Sequence, residues 1–196
     1  MRLDAGTPVY PGDPRVRVEV TDTFEDAGYF NTRLTLGAHN GTHLDAEGHM
    51  IPGGRMLDAY PLDRFRGRGV LLDLRADGAC DRAAADRVDE DCIVLLWTGI
   101  SDALGEPDYY HRVPQLPDGL LELLVGRGVK LVGVDAGSID AAPFAVHKTL
   151  LGNGILIAEN LVGLSALEHA AAFTVWALPL NVAVEASPAR VVAVLD

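Results

Sequence analysis

The chain has 196 residues, 48% of them hydrophobic and 22% charged, a composition that fits one globular domain with a buried core and excludes a disordered chain. Its net charge of −12 argues against nucleic acid and anionic membrane as partners, since both require basic patches. No apolar run reaches the ~18 residues of a membrane span, and the opening "MRLDAGTPVYPGDP" lacks the apolar stretch of a signal peptide, so a cytoplasmic location is expected.

In chain order, "TPVYPGDPRV" is dense in Pro and Gly and predicts turns. "RVRVEV" (15–20) alternates charge with Val, the pattern of a half-buried strand, and "FNTRLTLGAH" (30–39) alternates again. "GVLLDL" (69–74) and "CIVLLWTG" (92–99) are short continuous apolar runs, as buried strands are. Between them "CDRAAADRV" (80–88) predicts a short helix. Cys80 and Cys92 lack CxxC spacing and are read as reduced thiols. "PDGLLELLVGRG" (117–128) predicts a helix closed by Gly. "VKLVGVDAGSID" (129–140) reads as a strand running into a Gly/Ser loop, and "APFAVHKTLLGNG" (142–154) as a helix stopped by Gly. "GILIAENL" (154–161), "FTVWALPLNV" (173–182) and "ARVVAVLD" (189–196) complete the strands. The alternation of helix and strand in the second half predicts an α/β fold on a mixed β-sheet, with an antiparallel-leaning first third.

One stretch stands apart. "GAHNGTHLDAEGHM" (37–50) holds three of the chain's six histidines with Asp45 and Glu47. On a straight strand His39 and His49 would lie about 33 Å apart at ~3.3 Å per residue, too far to share one ion. The backbone must fold back, and Asn40-Gly41 is the pair that tolerates the turn. A short extended piece from Thr42 to Asp45 then presents His43 and Asp45 on one face. His39, His43, Asp45 and His49 therefore form a candidate metal site, and imidazole-rich ligands suit Zn²⁺ or Mn²⁺ better than Ca²⁺ or Mg²⁺. The second half of the chain must complete it. His147 on the helix and Glu159 at the end of "ILIAE" are favoured, because a carboxylate terminating a buried strand is costly unless paired or metal-bound. The Asp135 loop is a further candidate. His111 and His169 are read as ordinary exposed residues. Ser138 in "DAGSID" lacks the GxSxG elbow of a serine hydrolase.

These residues resemble a known family. "HNGTHLDAEGH" is similar to the HxGTHxDxPxH metal signature of the cyclase family, whose best-known members are bacterial kynurenine formamidases. "TPVYPGDP", "GVKLVGVDAGSID", "HKTLLGNGILIAENL" and "ALPLNVAVEASPARVVAVL" resemble its other segments in the same order. The resemblance implies a swivelling β/β/α-type single domain over residues 1–196, a homodimer, and a hydrolase with two divalent metal ions, usually zinc and in some members manganese. It implies that His39, His43 and Asp45 bind the first metal, that Asp45 bridges to a second held also by His147, and that Glu159 bridges or binds both. His49 would be the catalytic acid/base and Tyr10 an aromatic contact to the substrate. The expected substrate is a small-molecule amide, N-formylkynurenine first. A cyclic amide such as isatin is the alternative, and a non-enzymatic metal-binding module is another. Two departures are visible. Glu47 replaces the usual Pro and could become a ligand, pair with His49 or point outward, the last two being favoured. The loop from Ser138 to His147 is shorter than the Ser-Lys loop of formamidases.

Overall fold

The computed structural model describes residues 1–76 and 82–195. In order, its elements are β1 (Arg17–Asp22), α1 (Phe24–Ala27), β2 (Asn31–Thr35), β3 (His43–Asp45), β4 (Arg66–Asp73), α2 (Arg82–Ala85), β5 (Cys92–Trp97), α3 (Leu120–Arg127), β6 (Leu131–Val134), α4 (Ala145–Gly152), β7 (Leu156–Glu159), β8 (Phe173–Pro179) and β9 (Ala186–Leu195). Cys80 and the start of the helix expected at 80–88 lie outside the described residues. Among those described, no helix is long and apolar enough to cross a membrane.

Seven strands close into a barrel in the order β3-β7-β6-β5-β4-β8-β9. The pairs β4-β5, β5-β6 and β6-β7 are parallel. The pairs β4-β8, β8-β9, β9-β3 and β3-β7 are antiparallel. The α/β reading with a mixed sheet is therefore what the structure shows. The short β3 is the closing stave, pairing with β7 on one side and β9 on the other.

The continuous apolar runs follow from burial on both faces. Along β5, Val94 and Leu96 belong to a core shared with α3 and α4, where Leu120, Leu124, Leu150 and Leu151 pack. Ile93, Leu95 and Trp97 belong to a second core with Leu44, Phe65, Leu156 and Phe173. Successive side chains point to opposite faces, so both sides of this sheet must be apolar. The helix α3 ends at Gly128, which adopts the left-handed backbone (φ 63°) and returns its N–H to the Leu124 and Val125 carbonyls, the usual glycine stop.

One expectation fails. β1 has the alternation of a half-buried strand, yet every residue of β2 and all of β1 but its last are exposed. The two strands form a separate antiparallel ribbon outside the barrel. Alternation reports an amphipathic strand, and the partner for its apolar face need not lie in the same chain.

The barrel interior leaves little room at Gly69, where an added Cβ would sit 1.9 Å from the Phe173 ring. Gly69→Ala is expected to lower stability by about 1–3 kcal/mol through overpacking, read as a lower urea midpoint at unchanged slope. An unchanged midpoint would show that Phe173 swings aside freely.

Candidate metal centre

The site is assembled on β3 and its two flanking turns. Leu44 turns into the barrel core, so His43 and Asp45, its neighbours in sequence, face the other way together. Before β3, the Asn40 Oδ1 accepts the Gly37 N–H at 2.8 Å and Gly41 takes the left-handed backbone (φ 67°). This is the turn expected at Asn40-Gly41, and it folds His39 back until its Nδ1 lies 2.9 Å from Asp45 Oδ1. After β3, a 3-10 turn over Glu47–His49 returns His49 so that its ring centroid is 4.3 Å from that of His39.

The other half arrives through sheet register. His43 stands opposite Glu159 on β7, with Nε2 3.6 Å from Glu159 Oε2. The other Glu159 oxygen accepts the Ile139 N–H at 2.8 Å and lies 3.1 Å from His147 Nε2 on α4. The structure thus gathers His39, His43, Asp45, His49, His147 and Glu159 in one place. Two triplets, His39–Asp45–His49 and His43–Asp45–Glu159, each offer ligand atoms within 4.8 Å of one another, and Asp45 belongs to both.

Two of the four histidines are hydrogen-bonded from behind, and a third faces a carboxylate. His43 Nδ1 is 2.9 Å from the Gly41 carbonyl, leaving Nε2 toward the site. His147 Nδ1 bonds to Asp140 Oδ1, again leaving Nε2 inward. His39 turns Nε2 to Glu185 Oε1 at 3.6 Å and Nδ1 to Asp45. Such outer partners fix tautomer and ring orientation in metal-binding histidines. For His49, by contrast, the partners among the described residues are the rings of His39 and His147.

Asp140 and Glu185 escape the sequence reading. Asp140 also accepts the Val146 N–H at 2.6 Å, capping the start of α4, and an acid just ahead of a helix is a readable signal of that kind. Glu185 carries no local signal. Its place beside His39 depends on β9 pairing with β3.

The remaining candidates lie elsewhere. Asp135 accepts Thr98 N–H, Gly99 N–H and the Thr98 and Ser101 hydroxyls, and so ties down the loop after β5. His111 and His169 are exposed. Ser138 donates to the Asp140 carbonyl. Glu47 takes the outward alternative, its carboxylate bonded to Arg55. Tyr10 is 40% exposed and meets Tyr110 edge to face at 5.8 Å. Burial above all, with Glu159 and Asp13 adding to it, raises the Tyr110 phenol to about 12.

Charge explains the protonation pattern. Burial pushes the His43 ring down, but Asp45 and then Glu159 outweigh it and bring it up to about 9. His147 follows suit: burial lowers it, and Asp140 and Glu159 raise it to about 10. Burial pushes Asp45 up, yet His43 and His39 hold it well below the usual carboxylate range. His49 is lowered, by burial above all.

A cation fits these donors. His43 Nε2 and both Asp45 oxygens are buried without a hydrogen-bond partner. The Asp45 contact to His39 is close without being aligned as a hydrogen bond. Buried polar atoms are rarely left so, and a cation bound among them would satisfy all three.

Comparison with known proteins agrees. The model of the Cyclase family ("Putative cyclase") matches residues 1–141, a stretch that holds His39, His43, Asp45 and His49 and ends before His147 and Glu159. A kynurenine formamidase of Salinibacter ruber is 34% identical, over 97% of this chain and 92% of that protein. Among solved structures, a potential metal-dependent hydrolase with cyclase activity superposes with a TM-score of 0.75 at 27% identity, over 97% of this chain and 92% of that one. Isatin hydrolase A from Labrenzia aggregata, solved with benzyl benzoate, gives a TM-score of 0.81 at 24% identity over 98% and 90% of the two chains, a likeness of fold.

Metal binding should release protons. His43 and His147, raised to about 9 and about 10, are charged at neutral pH in the stripped protein and must be neutral to ligate. Zinc titrated at pH 7 into stripped protein is expected to release more than one proton per chain, measured calorimetrically in buffers of different ionisation heat. Affinity should climb as pH rises toward 9. The raised values also stabilise the stripped fold, fully below about pH 6.5 and progressively less as pH passes through 9 and 10. Zinc uptake without proton release would refute this assignment.

Proposed function

The chain belongs to the cyclase family and is a hydrolase of that family, and from this premise we propose that it hydrolyses a small aromatic amide, N-formylkynurenine first, to kynurenine and formate at a centre of two divalent metal ions. The observation that carries the reading is the contrast within the cluster: His43 and His147 are hydrogen-bonded from behind and His39 faces Glu185, around an unsatisfied, buried Asp45, whereas His49 has no such partner among the described residues.

In this reading His39, His43 and Asp45 hold one cation, and Asp45, His147 and Glu159 hold the other. The imidazole and carboxylate donors suit Zn²⁺, with Mn²⁺ as the alternative. A metal pair supplies a water of lowered pKa and a counter-charge for the developing oxyanion. His49 is left to move protons. Burial lowers its ring below the usual imidazole value, its centroid is 5.8 Å from His147, and among the described residues no outer partner binds its nitrogens, so it can take a proton and deliver it to the departing nitrogen. Tyr10, backed by Tyr110, offers an aromatic face to the substrate ring. The relative from Salinibacter ruber supports the substrate. The short loop from Ser138 to His147 favours a second reading, ring-opening of a cyclic amide such as isatin, which needs the same residues.

The exposed ribbon supports assembly as a homodimer. Val18, Val20, Phe24, Tyr29, Phe30 and Leu34 all lie on it or on its connection and are exposed, Phe24 by 66%, and large exposed apolar patches mark interaction surfaces.

Metal-loaded protein at micromolar concentration is expected to release formate and kynurenine from N-formylkynurenine. Inertness toward both this compound and isatin would sink the proposal. His49→Ala should lower kcat by about 10²-fold or more with metal content intact, whereas Asp45→Ala should lose metal by mass spectrometry. Light scattering should give a dimer for the wild type and a monomer for Phe30→Asp; a monomeric wild type would rule out the ribbon as an interface.

A further inference from the structure

We propose that Glu47, acting through Arg55, is a positioning residue for His49, a role that rests on His49 serving as the acid/base. Among the described residues the His49 ring has no hydrogen-bonded outer partner, so beyond its contacts with the His39 and His147 rings its place depends on the loop that carries it, Glu47 to Arg55. That loop is closed at its mouth twice over. In the backbone, Gly48 N–H donates to the Arg55 carbonyl at 3.0 Å, and Met50 and Ile51 N–H donate to the Glu47 carbonyl at 3.1 and 2.9 Å. In the side chains, the Glu47 carboxylate accepts the Arg55 backbone N–H at 3.2 Å, its Nε–H at 3.1 Å to either oxygen, and its terminal guanidinium nitrogen.

The staple is itself anchored. The Arg55 guanidinium lies 4.4 Å over the Tyr60 ring, and the Tyr60 hydroxyl accepts the Glu47 N–H at 3.5 Å. The loop has no slack: a Cβ at Gly54 would sit 2.7 Å from the Glu47 carbonyl carbon. On its far side Met50 and Ile51 pack against the core under α4, the helix that carries His147.

Backbone geometry explains why an acid serves here. Residue 47 opens the 3-10 turn, and Ala46 before it is extended (φ −106°, ψ 171°). A proline fits such a position, both as a first helical residue and after an extended one, and it would stiffen the turn covalently. This chain has a carboxylate instead and closes the same turn through Arg55. A half-exposed ion pair contributes little to global stability, so the effect of this one is local, on where the His49 ring stands.

Hydrogen exchange and kinetics test this on the metal-loaded protein. Glu47→Ala and Arg55→Ala are each expected to speed amide exchange in the 47–55 loop and leave β3 and α4 unchanged. Each should lower kcat about tenfold at unchanged KM and metal content, and the double variant should be no worse than either. Glu47→Pro should recover most of the kcat lost in Glu47→Ala. In a His49→Ala background, Glu47→Ala should cost no further kcat. Wild-type exchange in Glu47→Ala, or a kcat loss that persists in the His49→Ala background, would overturn the positioning role. If the wild type turns over neither N-formylkynurenine nor isatin, the functional reading fails, and the exchange arm still decides whether Glu47 orders the loop.

Discussion

A carboxylate buried with both oxygens unpaired is among the least comfortable groups in a protein interior, because its desolvation is not repaid by hydrogen bonds. Asp45 is in that position, and the architecture around it exists to keep it there. It sits on the three-residue stave that closes the barrel, so moving it would open the sheet on two sides. Histidines approach it from the turn before β3 and from its own strand, and Glu159 enters through the β7 register. Their positive charge compensates Asp45 in the stripped protein, which is why His43 and His147 are raised while Asp45 is lowered. A divalent cation at this candidate site would do the same work with fewer protons. The site would then have two ways to neutralise one acid, with metal and protons in competition for it.

Much of this was legible in the sequence because the information is local. Three of the gathered side chains, His39, His43 and Asp45, and the turn that gathers them fall within residues 39–45, and two-residue alternation puts His43 and Asp45 on one face whatever the fold. The continuous apolar runs marked β4 to β7 because a sheet covered on both faces leaves no polar side. Glu159 was readable for a related reason: an acid at the end of such a run needs a partner.

What escaped depends on long-range pairing. Barrel closure rests on β3 meeting both β7 and β9, and three residues carry no pattern that specifies two partners. Glu185 reaches His39 only through that closure. The ribbon misled in the opposite sense. Its alternation is real, and Val18, Val20 and Leu34 form an apolar set, but the sequence cannot say whether the covering surface is the chain's own core. In the structure it is not.

On the proposed reading the four histidines have different tasks. A ligand must present one nitrogen in one tautomer, and a carbonyl and an aspartate bond the other nitrogen of His43 and His147, while Glu185 stands 3.6 Å from that of His39. A proton carrier has the opposite need, since a strong acceptor behind the ring would fix its charge. His49, the carrier on that reading, is lowered by burial and has no such acceptor among the described residues. Freedom of the nitrogens still demands that the ring be in the right place, and besides its ring neighbours the backbone of a tight loop is what can impose that. An ordered loop around an unbonded side chain is thus one requirement seen from two sides, and it explains why a chain lacking proline at residue 47 invests a carboxylate and a guanidinium in closing that turn.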